Sequence, residues 1–170
     1  MPEITRKSAN RVIIGKTYWK NVILPKILYC SEIINFTKSE IANLQITENT
    51  AYRHIFQAPF YTATAAVRGE IGSSTMENRI LKSTLNYVKY ILGTEDNDLL
   101  KNVFLDLFEN SKLNWLKSLK NNLNKFEIDL NDLKMLSKNQ IKQLINFYDK
   151  NEWIAEIKTK KTLNIPIFIF

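Results

Sequence analysis

The sequence predicts an all-α fold, an irregular helical bundle of six to eight helices, and three observations carry that expectation. Four glycines and four prolines in 170 residues are too few for the many reversals of a sheet protein. Apolar residues recur at helical spacing through most of the chain. Pairs with the spacing of a helix capping box stand at Thr37 and Glu40, Ser74 and Glu77, and Ser137 and Gln140. The balance of 45% hydrophobic and 24% charged residues excludes wholesale disorder, collagen and coiled-coil rods. A chain of this length can bury roughly 70% of its unfolded surface in one core.

The elements follow in order. Residues 8–24 form a first helix with Val12, Trp19, Val22 and Ile23 on one face, ended or kinked at Pro25, which lacks an amide donor. Ile27-Leu28-Tyr29-Cys30 continues it as a short apolar stretch. The helix opened by Thr37 places Ile41, Leu44, Glu48, Ala51, Tyr52 and Ile55 within about 100° of arc and ends before Pro59. Thr62 to Ile71 makes a short helix closed by Gly72. Ser74 then caps the clearest helix of the chain, closed by Gly93. Its apolar residues, among them Met76, Leu81, Leu85, Val88 and Leu92, fill about half the circumference and place it at the centre of the core.

Beyond Gly93, Asp96-Asn97-Asp98 is placed to cap a helix through Leu99, Val103, Phe104 and Leu107, and another runs through Leu113, Leu116, Leu119 and Leu123. Ser137 opens a helix through Ile141, Leu144, Ile145 and Tyr148. A phase shift near Asp149-Lys150-Asn151 predicts a break before Trp153, Ile154 and Ile157. Residues 93–97 and 127–137 are the expected hinges, dividing a segment 1–93 from a segment 94–170 packed on it as one domain. The ending Ile165-Pro166-Ile167-Phe168-Ile169-Phe170 reads as a strand or a segment made to pack on something else.

With 24 Lys and Arg against 17 Asp and Glu the formal charge is +7, an excess that favours polyanionic partners such as nucleic acid. Part of it follows from a general lean towards Lys, Ile and Asn. A single cysteine excludes an intrachain disulfide and a Cys-based zinc site, and fits a reducing, intracellular compartment, nuclear or cytoplasmic. No run approaches the roughly 18 to 20 apolar residues needed to span a bilayer, so no membrane partner is expected.

Catalytic chemistry finds little to work with. His54 lies outside the apolar arc of its helix, and nothing local pairs it with Cys30, which reads as a buried structural thiol. There is no adjacent Asp-Asp, and Gly69 with Gly72 does not make a phosphate cradle. No catalytic residue, metal or cofactor is expected. The more suggestive feature is the helix face carrying Arg79, Lys82, Asn86 and Lys89 with Tyr90 at its edge. Such a row has the form of a track along a phosphate backbone, and equally of a solvated helix face. Arg53 and Arg68 have the same standing.

The segment Tyr18-Trp19-Lys20-Asn21-Val22-Ile23-Leu24-Pro25-Lys26-Ile27-Leu28-Tyr29, followed by Ser31-Glu32, resembles a stretch after the catalytic core of reverse transcriptases from non-LTR retrotransposons. The likeness continues through Leu44, Glu48-Asn49, Arg53, Pro59, the run Ala65 to Gly72, and Arg79. It is best over residues 18–92 and returns at Lys138 to Leu163, where Trp153 and Lys161-Thr162-Leu163 echo a helical region further downstream. The resemblance implies the thumb and the helices after it, which lie against the template–primer duplex. The family's polymerase motif with its two aspartates belongs to the palm and is absent here. The expected partners are therefore RNA or an RNA–DNA duplex, with a palm supplied in trans, and the expected contacts are Arg53, Arg68, Arg79, Lys82, Asn86 and Lys89. The competing expectation is a protein-interaction or scaffold module, or a vestigial reading frame.

Overall fold

A computed structural model describes residues 10–96, 98–110 and 112–161. The described residues form an all-α bundle, with no strand among them. The apolar ending at 165–170, Asn97, and the Thr162-Leu163 portion of the downstream likeness lie outside the described residues.

The first helical rod is α1 (Arg11–Tyr18), a π-helical turn (Trp19–Ile23) and α2 (Leu24–Ile27), joined without interruption. Pro25 stands in the first turn of α2 instead of ending the helix. Proline has no amide to donate to the preceding turn, and the wider π turn just before it absorbs that mismatch. Gly15 lets the rod approach α3 (Lys38–Phe56), since a Cβ there would stand 2.8 Å from Ile55 Cγ1. The chain reverses after α2 at Cys30, whose φ is 58°, and the thiol is half-buried, not buried as expected.

The α3 capping box forms as its spacing predicts. The Glu40 amide donates to Thr37 Oγ1 at 3.3 Å and Glu40 Oε2 accepts the Thr37 amide at 2.7 Å. Hydrogen bonds from the Thr37 backbone, then its side chain, hold the Glu40 carboxyl below its ordinary range. The helix closes before Pro59 with Gln57 left-handed at φ 54°. Gly72, at φ 64°, closes α4 (Thr64–Ile71) in the conformation only glycine adopts freely. The next cap is Thr75, one residue later than the Ser74 spacing predicts, with the Asn78 amide donating to Thr75 Oγ1 at 3.2 Å. A tertiary contact supports the shifted start of α5 (Met76–Leu92): the Met76 amide donates to Gln45 Oε1 on α3 at 2.8 Å.

Helix α5 is central, as its broad apolar face predicts, and it joins two cores. Met76 at its start packs with Trp19, Tyr52, Ile55 and Val67. Leu85, Val88 and Ile91 further along pack with α6 (Leu99–Asn110), α7 (Asn114–Lys125), α8 (Leu130–Met135) and α9 (Lys138–Lys161), through Phe104, Leu119, Leu133 and Ile141. Each fully buried Leu or Ile contributes about 1.5–3 kcal/mol.

Two expectations in this half are corrected. Residues 130–135, placed in a hinge, form α8, capped by Asp129 and Asp132 reciprocally and anchored by the fully buried Leu133. Helix α9 runs unbroken through Asp149-Lys150-Asn151. Its apolar stripe shifts phase because its neighbour changes. Ile141, Leu144, Ile145 and Tyr148 face the second core, whereas Asp149 Oδ1 accepts from Asn78 Nδ2 at 2.9 Å and Trp153 Nε1 donates to Ala65 O at 2.9 Å. Gly69 makes room for the indole, since a Cβ would lie 2.9 Å from Trp153 Cζ2.

Candidate nucleic-acid interface

The apolar face of α3 carries Glu48, and the fold buries it completely. A carboxylate survives there only with charge and hydrogen-bond partners. Glu48 Oε1 accepts from Arg79 Nη1 at 2.6 Å, Tyr52 Oη at 2.6 Å and Trp19 Nε1 at 3.2 Å, while Oε2 accepts from Gln45 Nε2 at 3.2 Å. Arg79 Nη2 donates to Ser73 Oγ, which also lies 3.0 Å from the Tyr52 hydroxyl. The network thus links the first rod, α3, the turn before α5 and α5 itself.

The electrostatics agree with that geometry. Burial acts to lower the Arg79 pKa, but the Glu48 charge and the Tyr52 hydroxyl outweigh it and hold the guanidinium above its ordinary value. Burial, then the Glu48 charge, pushes the Tyr52 hydroxyl above the usual tyrosine range. Helical spacing puts Arg79 on a solvent-facing row with Lys82 and Lys89, and the structure corrects this. Its side chain is 16% exposed and its guanidinium is spent on Glu48. The helix wheel orients Arg79 away from the apolar face of α5, but α3 covers that end of the helix.

The remaining candidates divide in the same way. Arg53 Nη2 donates to Thr62 O at 3.1 Å and Thr64 Oγ1 at 3.0 Å, tying down the loop between α3 and α4. Arg68, expected near a helix end or on an exposed face, is buried, and it borders a cleft with Ser73, Ser74, Lys150 and Trp153. These three arginines sit on α3, α4 and α5, the helices that contribute Tyr52, Val67 and Met76 to the first core. Lys82, Asn86 and Lys89 lie further along α5 and are half-exposed. Asn86 Nδ2 donates to Lys82 O at 2.8 Å, and Lys89 Nζ donates to Lys134 O at 2.6 Å.

Two of these residues border a shallow groove of about 630 Å³. It is lined by Asn86, Tyr87, Lys89 and Tyr90 from α5, by Lys138 at the start of α9, and by Glu32 from the turn before α3. Tyr90 is 65% exposed and presents its ring at the surface. Tyr87 and Lys138 are additions to the expected contacts. Tyr87 follows the apolar spacing of α5, and the structure packs it half-buried against the second core while it also borders the groove. Lys138 is brought to α5 only by the tertiary packing of α8 and α9, which no local spacing encodes. Lys89 and Lys138 against the single Glu32 carboxylate, with Tyr87 and Tyr90 in the same wall, give the groove a cationic, partly aromatic lining.

His54 is exposed and the Cys30 thiol half-buried, and among the described residues no group of three or more His, Cys, Asp and Glu is disposed to hold a metal ion. Asp98 serves its expected role, its Oδ1 accepting the Leu100 amide at 2.8 Å. No described helix is long and apolar enough to cross a membrane. The chain matches no known family model, no curated protein and no solved structure.

Proposed function

We propose that this chain is a non-catalytic helical module that holds the phosphate backbone of RNA or an RNA–DNA duplex along α5, in the manner implied by its resemblance to the thumb of a retrotransposon reverse transcriptase. The observation that supports the reading is the groove shared by Lys89, Lys138, Asn86, Tyr87 and Tyr90. Ammonium groups favour phosphate through counterion release, and an exposed phenol ring such as that of Tyr90 stacks on sugars or bases without demanding a particular sequence. Lys82 extends the row along the helix. Arg79 acts behind this surface, holding the start of α5 to α3 through Glu48, whereas Arg53 holds the connection between α3 and α4 and Arg68 lies buried beside a separate cleft. Polymerisation chemistry, in this reading, comes from a palm in trans.

Fluorescence anisotropy with a labelled RNA–DNA duplex tests the proposal. Replacing Lys82, Lys89 and Lys138 together by Gln lowers affinity while the variant stays folded, because none of the three side chains fills either core and only the Lys89 bond to Lys134 O, worth about 1–3 kcal/mol, is lost from the bundle. Unchanged duplex affinity in a folded triple variant refutes the reading and leaves the protein-interaction alternative.

A further inference from the structure

Helix α6 carries more exposed apolar surface than its attachment to the bundle requires. Its inward side is fully used. Phe104 is buried against Phe108 and Trp115, with ring centroids 5.8 and 6.4 Å apart. Lys101 is buried too, donating to Asp96 Oδ1 at 2.5 Å and Thr94 O at 3.3 Å. The outward side presents Leu99, Leu100, Val103 and Leu107 in one stripe, exposed by 76, 43, 46 and 38%. That spacing places all four on one helix face.

The charge around the stripe runs against that of the chain. Residues 95–110 hold five acidic residues and one basic one, in a protein of net charge +7. The one basic residue, Lys101, is already paired with Asp96, so the exposed Asp106 and Glu109 have no lysine or arginine on their own helix to offset them. This surface repels nucleic acid and anionic lipid headgroups. It also disfavours a twofold pairing of α6 with α6, which would set acidic flank against acidic flank.

We infer that α6 is a docking site for a basic amphipathic helix of a separate protein, whose apolar stripe covers Leu99, Val103 and Leu107 while its lysines or arginines meet the acidic flank. Helix-on-helix recognition of this kind reads apolar anchors at helical spacing and takes its specificity from the flanking charges. The inference does not depend on duplex binding along α5.

The test uses two synthetic helical peptides with the same leucine stripe, one flanked by lysines and the other by glutamates. The full chain is expected to bind the lysine peptide at least about tenfold more tightly, a difference typical of matched against like-charged interface flanks. Backbone amide shift changes should be confined to α6 and the residues just before it. Val103→Asp with Leu107→Asp should weaken binding, and Leu99→Ser, at the most exposed position, should weaken it without moving the thermal melt. Equal affinity for both peptides, or binding indifferent to both variants, overturns the inference. Sedimentation showing a dimer that these variants dissolve also overturns it, by assigning the face to a second copy of the chain.

Discussion

Arg79 Nη1 stands 2.6 Å from Glu48 Oε1, joining two helices across 31 positions of sequence inside the first core. The two residues are required together. Without the guanidinium, Glu48 is a fully buried carboxylate whose remaining donors, from Tyr52, Trp19 and Gln45, are neutral.

Arg79→Met therefore leaves an uncompensated buried charge and is expected to cost about 3–5 kcal/mol. Glu48→Gln in the same background removes that charge and should recover part of the loss. Urea denaturation of the single and double variants measures the coupling, and strict additivity of the two changes would contradict the pairing.

Tyr52 makes stability depend on alkaline pH. Its folded ionisation lies above its ordinary value because the ring is buried and, next, because Glu48 is negative; Arg79 and Ser73 act in the opposite direction. The folded state consequently holds this proton more tightly than the unfolded chain. That contribution is fully present below the unfolded tyrosine value of about 10 and is lost as pH rises through the folded value. Unfolding free energy should fall more steeply above this point in the wild type than in Tyr52→Phe. Parallel curves would show that the hydroxyl is not held as described.

Gly15→Ala sets helix propensity against packing. Alanine gains about 1 kcal/mol in a helix interior, but overpacking of a tight contact costs about 1–3 kcal/mol. With Ile55 Cγ1 only 2.8 Å from the added methyl and two further Ile55 atoms within 3.3 Å, the loss should prevail. A lower melting temperature for Gly15→Ala is expected, and a higher one would mean that α1 and α3 separate easily.

Much of the fold is legible from local spacing, because helix formation, caps and amphipathic faces are local properties. The Thr37 and Ser137 capping boxes, the Gly72 stop and the centrality of α5 follow from residues a few positions apart. The unbroken course of α9 does not. A phase shift reads identically whether a helix ends or exchanges one neighbour for another, and only the Asn78 and Ala65 contacts distinguish the two. The α5 surface divides for the same reason. Arg79 and Lys89 share a helix face, yet α3 closes over the first while the second remains beside an open groove. Glu48 on an apolar arc is a visible signal that some cation must pair with it, but nothing local points to its sequence-distant partner.

The proposed role of the groove is tested most directly by the salt dependence of duplex binding in the wild type and in the Lys89→Gln/Lys138→Gln double variant. A phosphate-holding groove predicts that affinity falls steeply with salt and that removing two cations flattens the log–log slope by about 0.9 for each phosphate no longer neutralised. A wild-type affinity that does not respond to salt, or a slope identical in the double variant, would contradict it.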